Sequence, residues 1–210
     1  MDLEFKPDDW TPECEILLAE WAEKASCHRW LYGRSEKKYR RRYYSFSIPV
    51  IILSTLTGAA NVGLSSYIPE NSQQMAQGIV GGINLFAGIL GTLQNFLQVA
   101  EQMESSRSSS VAWSKLGRNI TIELALDPSR RSNAADFLTI CRAEYDRLIE
   151  QSPLISDDII GNFKSKFKAY DVSKPAITNG LSKCAIYKRP LADPEDDLKT
   201  MREESGEESA

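Results

Sequence analysis

The sequence predicts an all-α membrane protein. Two spans form a transmembrane helical hairpin, and long helices extend from it into a cytosolic helical bundle. Three observations lead there. No charged residue lies between Arg42 and Glu70 or between Glu70 and Glu101, leaving uncharged runs of 27 and 30 positions. A helix needs about 20 mostly apolar residues to cross a bilayer. One short polar turn, SSYIPENSQQ, separates the runs. Elsewhere apolar residues recur at steps of three and four, and almost nothing reads as strand. A buried hairpin in a soluble bundle is the competing reading. Core helices, however, rarely stay uncharged on every face for so long.

The elements follow in order. Residues 1–11 are a polar lead-in. Thr11-Pro12-Glu13 has the form of a helix start: an N-cap, a proline at the first helical position and acids in the first turn. From there Cys14, Leu18, Trp21, Ala25, His28 and Tyr32 make one amphipathic stripe, so residues 12–43 read as a cytosolic helix with a basic end. The first span is placed at residues 44–65, with Pro49 inside it near one end. Membrane helices tolerate proline where neighbours satisfy the freed carbonyl. Pro69, Glu70 and Asn71 mark a non-cytosolic turn at residues 66–73, and the second span covers residues 74–100.

Residues 101–170 return to a cytosolic helical pattern. Trp113, Leu116, Ile120 and Leu124 share one face, and Asp127-Pro128 stops that helix. Ser132 or Asn133 caps the next, which carries Phe137, Cys141, Tyr145 and Leu148 up to Ser152-Pro153. Ser156 caps a last helix with Ile159, Ile160, Phe163 and Phe167. Residues 171–210 read as an extended to disordered acidic tail. Between Asp193 and Glu208 eight acids face two bases, a net of −6, so the remainder sums to +2 against the chain's −4. The tail, not the folded part, sets the acidic balance.

Orientation follows from the basic residues. Arg29, Arg34, Lys37, Lys38, Arg40, Arg41 and Arg42 place seven positive charges in fourteen positions just before the first span. The turn holds no lysine or arginine. Basic residues near a span stay on the cytosolic side, so both termini are expected there. The first apolar run begins more than forty residues in, so the first span itself is expected to direct insertion, without a cleavable signal. Asn119-Ile120-Thr121 fits a glycosylation sequon, and this topology keeps it unmodified. The belt Arg34, Lys37, Lys38, Arg40, Arg41 and Arg42, interleaved with Tyr39, Tyr43 and Tyr44, is a topology anchor among headgroups or a binding surface for anionic lipid. Nucleic acid is a third possible partner. The adjoining membrane makes lipid the natural anion, and no specific nucleic acid is expected.

The second span carries a further pattern. Gln74, Gln77, Gly81, Asn84, Gly88, Gly91, Asn95, Gln98 and Gln102 alternate steps of three and four, a period of 3.5. Ser54, Gly58 and Asn61, with Ser47 and Ser65, form a partial counterpart in the first span, interrupted by Ile51. Amides facing lipid would lose their hydrogen bonds, so this stripe must face protein or water. Glycine admits close backbone approach, and amides bond across the contact. Three roles stay open: packing between the spans, assembly of several subunits into a homo-oligomer, or the lining of a pore.

No sequence feature indicates an enzyme. Phosphate-loop, dinucleotide and zinc-protease motifs are absent, and neither a cofactor nor a metal is expected. Cys14, Cys27, Cys141 and Cys184 have no CxxC spacing. His28 is the only histidine and lies on an apolar stripe, where a packed role fits better than a catalytic one.

The segment order, the run RWLYGRSEKKYRRRYY and the span SFSIPVIILSTLTGAANV resemble the SLATT-type two-transmembrane proteins, over about residues 12–170. The versions from large DNA viruses of algae and amoebae look most similar. The resemblance implies a non-enzymatic structural or assembly component. In a virus it would lie in the internal virion membrane or a host membrane and contact capsid or other membrane proteins. For prokaryotic members it implies an oligomeric pore-forming effector, and that is the alternative.

Overall fold

The computed structural model describes residues 10–67 and 69–180, with the side chains of 64–67 and 179 excepted. The described residues form six α-helices and one 3-10 turn, with no strand among them. Helix α1, Pro12–Tyr67, is unbroken for 56 residues, about 84 Å at 1.5 Å per residue. Thr11 caps it, its Oγ1 accepting from the Cys14 amide at 3.3 Å. Pro49 sits inside without ending the helix. It costs one backbone donor, leaving the Ser45 carbonyl to find another partner.

Helices α2, Glu70–Phe96, and α3, Val99–Ala125, run back along α1. The turn is therefore tighter than residues 66–73, because helix persists to Tyr67 and resumes at Glu70. The second span does not run unbroken to residue 100. Gln98 takes a left-handed conformation at φ 47°, and the helix restarts at Val99. No glycine or proline announces this break. Its effect is one of phase: the stripe turned toward α1 passes from Gln94 to Val99, a step of five where three or four is usual.

Beyond Ala125, Asp127 and Pro128 end α3 as expected, through a 3-10 turn at Pro128–Arg130. Asn133, not Ser132, caps helix α4, Ala134–Gln151, its Oδ1 accepting from the Asp136 amide at 3.1 Å. Ser156 precedes α5, Asp157–Lys166, in extended geometry but with no side-chain cap bond. A single turn, α6 (Ala176–Asn179), follows. Residues 181–210, with Cys184 and the acidic tail, lie outside the described residues.

The core lies where α1 and α3 pair and α4 and α5 cover them. Leu18, Leu31, Trp113, Ile120, Cys141, Leu148 and Phe163 are buried there. Close approach of α1 and α3 rests on small residues. Ser106 donates to Ser35 at 3.2 Å, both fully buried, and a Cβ on Gly117 would stand 3.3 Å from that of Ala25. The other half of the α1 pair has no such cover. Two helices, one within Pro12–Gly63 and one within Glu70–Ala125, are long and apolar enough to cross a membrane. Only 6% and 11% of their most apolar stretches are buried, which is not how the core helix of a soluble bundle behaves.

Candidate functional site

Two hydrogen bonds fix how the apolar hairpin is put together. Ser47 Oγ donates to Gln94 Oε1 at 3.1 Å, and Thr57 Oγ1 donates to Asn84 Oδ1 at 2.6 Å. The residue numbers add to 141 in both pairs, and again in Ser35–Ser106, so one antiparallel register runs the length of α1. Burial then identifies the seam. It comprises Phe46, Val50, Leu53, Thr57 and Ala60 on α1 with Ala76, Val80, Ile83, Ala87, Leu90 and Gln94 on α2.

The stripe of glycines and amides is not that seam. Gln77, Gly81, Asn84, Gly88, Gly91 and Asn95 each follow a seam residue by one, and so do Ser54, Gly58 and Asn61 on α1. One residue turns a helix by about 100°. In antiparallel helices that turn carries both stripes to the same side of the pair. A Cβ on Gly58, Gly81, Gly88 or Gly91 would meet nothing within 4 Å. Asn84 touches the first helix through Thr57; Ser54, Asn61, Gln77 and Asn95 are exposed. Gln98 belongs to the helix break and is also exposed. The opposite side carries the residues one position before the seam, among them Ile52, Leu56, Ile79, Phe86, Ile89 and Leu93, all exposed. The hairpin thus has one face of mostly large apolar side chains and one of mostly glycines, serines and amides, which Ile51 interrupts.

The basic belt also has two sides. Arg34, Lys37, Lys38, Arg41 and Arg42 fall on one face of α1 and line a cleft against α5. Arg40 is turned away and pairs loosely with Glu36 at 3.7 Å. Arg34 lies over the Trp30 ring at 5.1 Å, with Lys166 of α5 over the same ring at 5.8 Å. Lys38 bonds Asp158 across the cleft. That bond, aided by the charges of Lys38 and Arg42, holds the Asp158 carboxyl below the usual carboxylate range.

His28 is buried, its ring stacked 4.3 Å from that of Trp113, and its Nδ1 has no hydrogen-bond partner. Burial lowers its pKa to about 4, so the ring stays neutral near pH 7. Burial also raises the thiols of Cys27 and Cys141, the latter to about 11, which keeps them protonated. A neutral imidazole clamped in an aromatic stack and protonated thiols are packing groups. No cluster of three or more metal-ligating side chains occurs among the described residues.

Comparison with known proteins adds no relative: no family model, no curated protein and no solved structure matches the chain.

The stripe that the sequence singled out lies one residue away from the seam between the helices. It missed the second wall of the basic cleft. The available signal was the spacing 34, 37/38, 41/42, one helical face, together with Asp158, Asn162, Ser165 and Lys166 at matching spacing 120 residues on.

Proposed function

We propose that the chain is a non-enzymatic, two-span integral membrane protein. It acts as a membrane-anchored assembly component and self-associates through the glycine-and-amide face of its hairpin. The observation that carries this is the two-faced hairpin. One face suits lipid. The other presents Asn61, Gln77 and Asn95, whose amides lose hydrogen bonds in hydrocarbon, beside glycines that admit a close neighbour. A second copy of the same face supplies both the amide partners and the fit. The bundle of α1, α3, α4 and α5 then stands on the cytosolic side, as the basic belt favours. The place in a virion membrane rests on the resemblance alone.

The test is oligomer size of the full chain in nanodiscs or mild detergent. Gly81→Leu with Gly88→Leu should yield monomers, whereas Gly82→Leu, on the other face, should leave the oligomer intact. A wild-type monomer, or equal loss from both changes, overturns the reading. Several copies closing the same face around water would form a pore, which is the alternative. Liposome leakage abolished by Asn84→Leu with Asn95→Leu, at unchanged oligomer size, would establish it. Sugar on Asn119 in a eukaryotic host would reverse the topology.

A further inference from the structure

The cleft between α1 and α5 has a volume of about 680 Å³, in the range of small-molecule sites. Five cations of α1 (Arg34, Lys37, Lys38, Arg41 and Arg42) and Lys166 of α5 line it, with Asp158 the one acid. The local balance is therefore +5, from six bases and one acid. Asn162 and Ser165 add uncharged polar groups, and Trp30 forms an aromatic wall beneath Arg34 and Lys166. Cations converging from two helices bind a compact polyanion better than a single exposed belt does, because each held charge adds its own hydrogen bonds.

A second groove of about 750 Å³ adjoins this cleft at Arg42, which lines both. Its walls are mostly apolar: Phe46 of α1, Leu97 at the helix break, and Pro153 and Leu154 of the α4–α5 loop. Leu154 is 91% exposed, so its side chain is free to meet a ligand lying in the groove. Phe46 and Leu97 lie where the charged part of the chain gives way to the apolar hairpin. A polyanion pocket thus opens onto an apolar furrow at that level.

From these two adjoining cavities we infer a site for one anionic phospholipid. Its headgroup carries a phosphate monoester in addition to the phosphodiester, as in a phosphorylated inositol lipid. The phosphates sit among the α1 cations and Lys166, and the glycerol and acyl chain leave past Arg42 along Phe46 and Leu154. Five net charges exceed what a singly charged headgroup uses, and the furrow is of no use to a soluble phosphate. The inference rests on the two-span reading, which places Arg42 at the bilayer surface.

The experiment is native mass spectrometry of the full chain from detergent. It titrates short-chain phosphatidylinositol bisphosphate, short-chain phosphatidylserine and soluble inositol trisphosphate. The bisphosphate lipid should bind at least tenfold more tightly than either of the others. Lys166→Gln should weaken it about fivefold or more, while Arg40→Gln, the same charge change outside the cleft, should stay within twofold. Leu154→Gln should weaken the lipid but leave inositol trisphosphate unaffected. Equal losses from Lys166→Gln and Arg40→Gln would reduce the site to a diffuse belt and overturn it. Equal affinity for the soluble trisphosphate would overturn the lipid assignment. Both results differ from a failure of the two-span reading, in which the chain is washed from membranes at alkaline pH.

Discussion

Helix α1 runs unbroken through two halves that differ in what they leave exposed. In the bundle half, Leu31 and Trp113 are fully buried and the charges lie outside. In the hairpin half, Ala87 and Thr57 are buried while Ile51, Leu56 and Val62 face outward, Val62 at 81% exposure. The register is the same in both, with paired numbers adding to 141 on either side of the Gln98 break. Backbone geometry therefore does not distinguish the halves. The exposure of large apolar side chains does. Water makes the bundle bury its large side chains. Lipid would remove that drive, and large apolar side chains such as Leu56 and Phe86 could then stay outside the seam.

The comparison can be broken at four places. The largest effect is expected from Trp113→Ala, which opens a cavity under His28 and removes the Nε1 bond to Ser152 Oγ at 3.1 Å. It should cost about 3–5 kcal/mol in denaturant titration, whereas Phe86→Ala on the exposed face of the hairpin should cost about 1 kcal/mol or less. Comparable losses would mean that Phe86 is also packed in a core.

Next comes pH. An unfolded histidine titrates near 6.5, and His28 in the fold near 4. Between those values the unfolded chain holds the extra proton, so stability is full above 6.5 and falls as pH drops toward 4. The total from this one group is about 3 kcal/mol. His28→Phe keeps a stacked ring and should flatten that part of the stability–pH curve. An unchanged slope would show that His28 is solvated.

Gly117→Leu should cost about 1–3 kcal/mol, because its side chain meets Ala25 and the Ala22 carbonyl. Gly82→Leu, which meets nothing within 4 Å, should leave bundle stability unchanged. The smallest effect is Thr57→Val. Removing one hydrogen bond between the apolar helices, to Asn84, should cost about 0.6 kcal/mol in a refolding assay from detergent.

The bundle was legible because water imposes one rule, and every stripe from Leu18 to Phe163 obeys it. Asp127-Pro128 and Ser152-Pro153 stopped their helices through plain backbone chemistry. The hairpin's seam was not legible at single-residue level. Val80 and Ile83 pack as well between spans as they face lipid, so only Gly81 and Asn84 looked marked, one residue away. The break at Gln98 has no local signal, since glutamine has no preference for a left-handed conformation. The basic cleft needed α5, whose place beside Arg34 and Lys37 depends on tertiary packing 120 residues downstream.

The two spans within residues 44–97 are proposed to lie in a bilayer. Alkaline carbonate extraction of membranes from cells expressing the full chain tests it most directly. The protein is expected to stay in the membrane pellet with integral markers. Release into the supernatant with peripheral proteins would contradict it, and would make the hairpin's large outward side chains a protein-binding surface instead.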